Sequence, residues 1–175
     1  SELQIIVRGY ENKYQARVDG SEGDNGDLID IAADIYRRFR GADNLVFANS
    51  RRNIERLSDL LRGYSERDGV KKEFHPHHGG LAKELRQDVE RDLKSDRVPV
   101  TAVCTSTLEM GIDIGAVAQV AQVDPPPSVA ALKQRVGRSG RRSGQPQILR
   151  GYVQEDELRP ESPLRSRLRL RTFQF

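Results

Sequence analysis

The spacing of the apolar residues most constrains the fold, because from about Asp27 onward it alternates between helical and strand periods. Such alternation is typical of βαβ units, in which a helix connects two parallel strands. The strand-like runs at 44–48, 98–104, 117–123 and 148–153 are short and apolar at consecutive positions. Strands of this kind are buried on both faces, so we expect an α/β fold of three layers, with a mainly parallel central sheet and helices on both faces.

The apolar spacing also predicts four helices. The first begins near Asp27 and ends before Gly41, and Ser50 and Ser128 are predicted to cap the second and the fourth. The predicted inner faces of the second and third helices consist of Ile54, Leu57, Leu61 and Tyr64, and of Leu81, Leu85, Val89 and Leu93, respectively.

The length of 175 residues fits one ordinary domain, which we place at residues 27–155. Residues 1–26 are predicted to form strands and a loop that lead into it, and residues 156–175 a C-terminal extension whose period-two pattern stops abruptly, as in a truncated chain. No apolar run is long enough for a membrane span and no signal pattern is present, so we expect a cytoplasmic protein with no membrane partner. The single cysteine, Cys104, lies in an apolar run and is expected to be a buried, unreactive thiol.

The stretch QRVGRSGRR at Gln134–Arg142 places arginines beside two glycines directly after a predicted helix. Arg138 and Arg141 are three residues apart, so both guanidinium groups could converge on one polyanion through bidentate contacts. At the γ-phosphate of a nucleotide, such an arginine finger accelerates turnover by about 10³- to 10⁵-fold. Taken alone, the stretch equally fits a loop that binds nucleic acid nonspecifically, or a solvated turn.

A second stretch, TSTLEMGIDIG at Thr105–Gly115, follows a predicted strand at the carboxyl edge of the sheet, where ligands bind in open α/β folds. Its first three residues predict a cap for a short helix through Met110, whose free backbone amides suit a phosphate of a nucleic-acid strand. Gly111 permits a bend, after which the carboxylate of Asp113 can accept hydrogen bonds from ribose hydroxyls. The alternative is a strand-to-helix cap without a ligand.

With NSRR at Asn49–Arg52 and HHGG at His77–Gly80, these stretches form an ordered set of four. In order and approximate spacing the set resembles motif IV, the HxG turn, motif V and motif VI of the second RecA-like domain of superfamily 2 helicases of the DEAD/DEAH type. The similarity is strongest to the proteins called large helicase-related. It covers about residues 27–153, and four stretches in order are far more specific than any single one.

The resemblance implies a RecA-like fold and a role for each matching residue. Gln134, Arg138 and Arg141 would face the nucleotide, with the two arginines as fingers on the γ-phosphate, while Gly111 and Asp113 would lie near the ribose. Glu109 would couple the nucleotide and strand sites. The contacts to the phosphate backbone of one bound strand would come from Ser50, Arg51, His78, Gly79, Thr105 and Ser106.

The chain departs from a complete helicase in two respects: it contains no GxxxxGK[ST] loop, and the predicted domain at residues 27–155 contains no DExx motif. In the family both belong to the first RecA-like domain of the same polypeptide, which would hold most of the ATP and its Mg²⁺. We therefore expect a second motor domain of an ATP-dependent helicase or translocase, inactive as an ATPase by itself.

The expected nucleic-acid partner is a single strand or a tailed duplex. The residues do not distinguish DNA from RNA, and the resemblance to large helicase-related proteins favours DNA. The alternative function is a non-catalytic nucleic-acid-binding module that uses the arginine loop as a basic patch. A zinc site is not expected, because the three histidines lie within one extended turn without paired CxxC or HxxxH spacing.

Overall fold

A computed structural model of the chain describes residues 2–11, 26–95, 97–109, 113–140 and 145–155. In this part of the chain, six strands form one sheet in the order β1-β6-β5-β2-β4-β3, and every neighbouring pair is parallel. The strands are β1 (Leu3–Glu11), β2 (Asn44–Phe47), β3 (Phe74–His77), β4 (Thr101–Cys104), β5 (Gln119–Val123) and β6 (Gln147–Glu155). The predicted parallel sheet is confirmed.

The helices are α1 (Gly26–Phe39), α2 (Arg51–Arg67), α3 (Lys83–Ser95) and α4 (Val129–Val136), with a 3₁₀ turn at Ser106–Leu108. Both predicted serine caps are present. The Ser50 hydroxyl accepts a hydrogen bond from the backbone N–H of Asn53 at 3.2 Å, and the Ser128 hydroxyl accepts one from Ala131 at 3.0 Å. These caps satisfy N–H groups that have no partner within the helix.

Two separate apolar clusters show that helices cover both faces of the sheet. On one face α1 and α2 bury side chains such as Ile35 and Leu57 against the strands. On the other face α3, α4 and the 3₁₀ turn contribute Leu93, Val136 and Leu108. The fold is therefore the expected three-layer RecA-like α/β sandwich.

The predicted inner stripe of α3 is wrong at its amino end. Leu85 is 55% exposed, whereas Val89 and Leu93 are buried, and Leu81 precedes the helix. The reason is geometric: a spacing of four residues advances the side chain by about 40° beyond a full turn, so a stripe spaced in fours turns away from the core within three steps.

Residues 3–11, which the sequence assigns to the segment leading into the domain, form an edge strand of the same sheet, paired along its whole length with β6. Next to this edge, α1 buries the carboxylate of Asp34, which is 6% exposed. It accepts hydrogen bonds from the Tyr152 hydroxyl at 2.7 Å and from Arg38 Nε at 2.9 Å. Burial raises the pKa of Asp34, but these hydrogen bonds outweigh burial and leave the pKa below its ordinary value.

Cys104 is fully buried in β4, as predicted, and burial raises the pKa of its thiol. None of the helices in the described ranges is both long enough and apolar enough to cross a membrane.

Candidate functional site

The segments that carry the motif residues meet at the carboxyl edge of the sheet. Ser50 follows β2, His78 follows β3 and Thr105 follows β4, and parallel strands place these ends side by side. Backbone hydrogen bonds continue the ladder beyond the strands: Ala48 N–H donates to Cys104 O at 3.0 Å, and Thr105 N–H donates to His77 O at 3.3 Å. The loops that follow the strands are therefore held in a fixed relation to one another.

The start of α2 and the glycine turn after β3 form one surface. The guanidinium of Arg51 lies over this turn, because a Cβ added to Gly80 would be 3.1 Å from Arg51 Nη1 and one added to Gly79 would be 3.6 Å from Nη2. Arg51 and Gly79 are both exposed. The turn therefore presents an arginine above a backbone without side chains, an arrangement that lets a phosphate approach closely.

His78 supports this turn from inside the protein. Its side chain is 7% exposed, and Nε2 pairs with the carboxylate of Glu55. Its Nδ1 accepts a hydrogen bond from the Gly80 N–H at 3.1 Å. Since Nδ1 accepts, Nε2 carries the proton that is donated to Glu55. Both ring nitrogens are thus engaged within the domain.

The loop after β4 differs from the predicted short helix through Met110. Within the described part of this loop, Ser106–Leu108 form a 3₁₀ turn and Thr105 makes no side-chain cap, while Met110 lies outside the described residues. Leu108 is fully buried and anchors the turn to the core, while Ser106 is exposed and Thr105 is partly exposed. The two residues assigned to the strand contact thus lie at the accessible end of an anchored turn.

The same turn is tied to β3 through His77. The Thr107 hydroxyl donates to the His77 carbonyl at 3.1 Å, and the same oxygen lies 2.7 Å from His77 Nδ1. The other ring nitrogen, Nε2, lies 2.7 Å from Glu90 in α3. No group of three or more His, Cys, Asp or Glu side chains with the geometry of a metal site occurs in the described ranges.

The loop after α4 is fixed by its backbone. Ser139 pairs with Val117 in an isolated parallel bridge, and the Gly140 N–H donates to the Val117 carbonyl at 3.2 Å. Gly140 has a φ of +67°, and a Cβ there would lie 2.7 Å from the Pro146 carbonyl oxygen. Glycine is therefore required at this position for two independent reasons, its positive φ and the close approach of another backbone.

Arg138 is directed toward the loop after β4. Its Nε and Nη2 donate to the backbone carbonyl of Glu109 at 3.1 and 2.8 Å. Gln134 is exposed on α4. Two other residues that are predicted to face the nucleotide, Gly111 and Arg141, lie outside the described residues.

Asp113 is 80% exposed and pairs with Lys94 Nζ at 2.9 Å. The hydrogen bond from Lys94 holds the pKa of Asp113 below its ordinary value, so its carboxylate is charged at neutral pH. A ribose hydroxyl can reach such an exposed acceptor.

Sequence reasoning missed Arg135, which is 2% exposed and lies directly beneath the site. Its Nε donates to the Glu109 carboxylate at 2.6 Å, and Nη1 donates to the side-chain carbonyl of Gln122. The guanidinium also lies 4.7 Å from the centre of the Phe47 ring. The available signal was helical phase: Arg135 follows the buried Ala131 by four residues and so shares its face of α4.

The comparison with known proteins matches the segments that form this site. The family model of the helicase conserved C-terminal domain matches residues 27–143, which include all four motif stretches. The chain belongs to this family. Together with the relatives and solved structures below, the match makes the chain a superfamily 2 helicase C-terminal domain, as the four stretches predict.

Relatives of this helicase C-terminal domain include ATP-dependent helicases. The Lhr helicase/probable uracil glycosylase of Mycolicibacterium smegmatis is 41% identical over 58% of this chain and 9% of that protein. The ATP-dependent helicase Lhr-Core of Saccharolobus solfataricus is 40% identical over 69% of this chain and 14% of that protein. The chain thus spans less than a sixth of the length of either relative.

One solved structure gives the same assignment, and a second shares the fold. The structure of Mycobacterium smegmatis helicase Lhr bound to ssDNA and AMP-PNP matches 86% of this chain and 19% of that chain, with a TM-score of 0.67 and 38% identity. The C-terminal domain of the DEAD-box protein Dbp5 matches 87% of this chain and 77% of that chain, with a TM-score of 0.62. Because its identity is 21%, the second likeness shows the fold alone.

Proposed function

We propose that this domain is the second motor domain of an ATP-dependent nucleic-acid helicase or translocase, and that it supplies arginine fingers to ATP and phosphate contacts to one strand. The observation that carries the proposal is the convergence of two kinds of group on one sheet edge. Arg138 donates to the backbone carbonyl of Glu109, which ends the 3₁₀ turn whose first residues, Thr105 and Ser106, are accessible. The segment from Thr105 to Glu109 thus lies between the proposed contact to the nucleic-acid strand and Arg138, the arginine proposed to reach the phosphate.

On the nucleotide side, Arg138 and Arg141 act as the fingers and Gln134 orients the bound phosphates, while Gly111 and Asp113 line the ribose. A guanidinium suits this task because it is always charged and presents several N–H donors in a fixed plane. Among the described residues, Arg138 and Asp113 therefore fit the phosphate and the ribose of a nucleotide, respectively. Bound ATP with Mg²⁺ supplies the transferable phosphoryl group, held mainly by the first RecA-like domain of the same polypeptide.

On the strand side, Ser50, Arg51, Gly79, Thr105 and Ser106 contact successive phosphates, and the buried His78 holds the glycine turn in shape. The Ser50 oxygen accepts from the helix backbone, which leaves its hydroxyl proton to donate to a phosphate. Because these groups address the backbone of the strand, binding is tolerant of sequence and weakens steeply with salt.

The partner is a single strand or a tailed duplex, and DNA is favoured because the structural relative of 38% identity is described as bound to ssDNA. Closure of the cleft between the two motor domains brings Arg138 to the γ-phosphate and moves the loop after β4 along the strand. When the cleft reopens after hydrolysis, the contacts to the nucleic-acid strand are released, and repeated cycles of closing and opening give translocation.

The test uses the full-length parent protein with Arg138→Ala and, separately, Arg141→Ala. Each variant should lower the nucleic-acid-stimulated ATPase rate by about 10³-fold, the lower end of the range for arginine fingers. The affinity for a single strand, measured without nucleotide, should be nearly unchanged. A matched control is Arg62→Ala, which removes an arginine that is 53% exposed on α2 and pairs with the neighbouring Asp59. The control should change neither quantity.

The opposite pattern supports the alternative function. If both finger variants lose strand affinity while the ATPase rate stays at the wild-type level, the arginine loop is a basic patch of a non-catalytic binding module.

A further inference from the structure

A cavity of about 650 Å³ opens at the amino edge of the sheet, the end opposite the candidate site. Two of its walls are the segments that lead into neighbouring strands, residues 71–72 before β3 and residues 98–100 before β4. The third wall is formed by the last residues of α3. Because β3 and β4 each have four residues, about 13 Å of strand separates this amino-edge cavity from the loops of the candidate site.

Hydrogen bonds hold the two strand-leading walls of the amino-edge cavity in place. The Thr101 N–H donates to the Glu73 carbonyl at 2.7 Å, which joins the amino ends of β3 and β4. The Val100 N–H donates to the side chain of Asp43 at 2.9 Å, and the Val100 carbonyl accepts from the Asn44 N–H at 3.0 Å. These bonds fix the shape of the cavity, so a ligand does not have to order its walls when it binds.

Cations outnumber acids in the lining of the amino-edge cavity. The charged residues among the described lining residues are four cations and one acid: Lys71, Lys72, Arg91, Arg97 and Asp92. Lys72 pairs with Glu66 at 3.0 Å, and Arg91 pairs with Asp88 at 2.8 Å. All four of these paired side chains are more than half exposed, and exposed ion pairs contribute little, so both cations can exchange their partner for a ligand. Lys71 and Arg97 form no ion pair within the described part of the chain.

The surface between these charges is neutral and partly apolar. His75 is partly buried in the cavity, and burial lowers its pKa although the nearby Asp92 acts to raise it. The imidazole is therefore neutral at pH 7 and offers a hydrogen-bonding group without a charge. Val98 and Pro99 add partly exposed apolar surface. An apolar wall with a few convergent polar groups, in a volume of about 300–1,000 Å³, is the usual composition of a small-molecule site.

We propose that the amino-edge cavity binds a terminal phosphate group, at a site distinct from the candidate site and independent of the proposed function. Lys71 lies just before β3 and Arg97 just before β4, so one ligand would bridge the two segments. A terminal phosphate carries between one and two negative charges and three acceptor oxygens, and can accept charge-assisted hydrogen bonds from both side chains at once. A single carboxylate has one charge and two oxygens and suits two separate cations less well.

The shape of the cavity favours the end of a molecule over a continuous chain. A strand that passes through a binding site follows a positively charged groove, whereas this cavity is bounded by walls on three sides. The apolar surface at Val98 and Pro99 leaves room for the group that carries the phosphate. Two sources share this chemistry: a free nucleotide, and the phosphorylated end of a nucleic-acid strand.

The test is an NMR titration of the ¹⁵N-labelled chain with adenosine monophosphate in the absence of Mg²⁺. The amide signals of Lys72 and Val98 should shift and saturate, and adenosine, which lacks the phosphate, should not shift them at the same concentrations. Binding at the candidate site is read separately, from the signals of Ser50 and Thr105.

Two variants and a matched control assign the binding to the cavity. Lys71→Gln and Arg97→Gln, made separately, should each weaken the binding of adenosine monophosphate by about 10-fold, the effect expected for one hydrogen bond to a charged group. Both side chains are exposed, so the variants should fold, and their amide spectra report this directly. The control Arg62→Gln removes the same charge from an exposed position on α2 and should leave the affinity nearly unchanged.

A short single-stranded oligonucleotide, with and without a 5′-phosphate, identifies the source of the phosphate. If the end of a strand is the ligand, only the phosphorylated form shifts the Lys72 and Val98 signals, and it binds more tightly than adenosine monophosphate. If adenosine monophosphate binds more tightly than this oligonucleotide, the ligand is a free nucleotide.

Three results would overturn the inference. The first is the absence of a saturable shift at Lys72 and Val98 with adenosine monophosphate. The second is an affinity for adenosine monophosphate that neither Lys71→Gln nor Arg97→Gln changes. The third is tighter binding of hexaglutamate than of both phosphate-bearing probes at the same signals, because the cavity would then be a site for acidic peptides.

Discussion

Gly140 offers a sharp test of how tightly the loop after α4 is built, through the substitution Gly140→Ala. The residue has a φ of +67°, and an added Cβ would lie 2.7 Å from Pro146 O, 2.8 Å from Gln147 N and 2.9 Å from Gln147 Cα. All three atoms belong to backbone at the start of β6. They cannot rotate away, so the loop or the strand would have to move by several tenths of an ångström.

The expected cost has two parts. The left-handed backbone conformation costs a residue with a Cβ roughly 1–2 kcal/mol. Overpacking that forces backbone shifts adds about 1–3 kcal/mol, for a total near 2–5 kcal/mol. Gly41→Ala separates the two parts, because Gly41 has a φ of +85° but its Cβ would meet no described atom within 4 Å. That control should lose only about 1–2 kcal/mol.

Two assays measure the difference between Gly140→Ala and Gly41→Ala. Urea unfolding of the chain should give a lower free energy of unfolding for Gly140→Ala than for Gly41→Ala. In the full-length parent, ATPase activity should fall about 10²-fold for Gly140→Ala, since the loop carries Arg138, and should stay near the wild-type level for Gly41→Ala. Equal unfolding free energies for the two variants would show that the loop does not pack on the start of β6, and the reasoning would be refuted.

Three further outcomes follow from particular contacts. Tyr152→Phe removes a hydrogen bond of 2.7 Å to the buried Asp34 carboxylate. The substitution should lower the free energy of unfolding in urea by about 1.5 kcal/mol, the lower end of the range for a charged acceptor, because Arg38 still donates to the carboxylate. An unchanged free energy of unfolding would mean that water replaces the hydroxyl. The folded-state pKa of Asp34 lies below its ordinary value of 3.8, so its contribution to stability is complete above that value and is lost as the pH falls through the folded pKa. Asp34→Asn should therefore reduce the loss of unfolding free energy at acidic pH. An unchanged dependence of stability on pH would contradict the lowered folded-state pKa of Asp34. Arg51→Ala in the parent should reduce the slope of log affinity against log salt by about 1, and an unchanged slope would exclude a phosphate contact at this residue.

Local signals explain what the sequence could predict. Ser50 predicts the start of α2, because its side chain accepts a hydrogen bond from the backbone N–H three residues later. Runs such as Asn44–Phe47, which is buried at every position, predict the parallel strands of the core. Capping and strand patterning depend on neighbours in the chain, so both are visible without the fold. Leu85 shows the limit of such patterns, because the direction of a helical stripe also depends on where the neighbouring strands lie.

The parts that could not be predicted depend on residues far apart in the chain. Arg135 is buried because Glu109 and Gln122 reach it from a loop and a strand 26 and 13 residues away. Likewise, the pairing of β1 with β6 joins residues about 144 positions apart, as in Leu3 with Gln147. The sequence around Arg135 or around Leu3 does not identify these distant partners. For the candidate site, the motif stretches predicted which segments meet, whereas the fold showed that His78 is buried and that Glu109 is held from two sides.

We propose that this chain carries one part of an ATP site: it supplies arginine fingers and contacts to a nucleic-acid strand, while the phosphate-binding loop and the metal-binding motif belong to the first motor domain. The most direct measurement is steady-state ATP hydrolysis by the purified 175-residue chain, with and without single-stranded DNA, beside the full-length parent. The account predicts background turnover for the chain under both conditions and DNA-stimulated turnover for the parent. Turnover by the chain alone that disappears in its Arg138→Ala variant would contradict the account, because that dependence would exclude a contaminating ATPase.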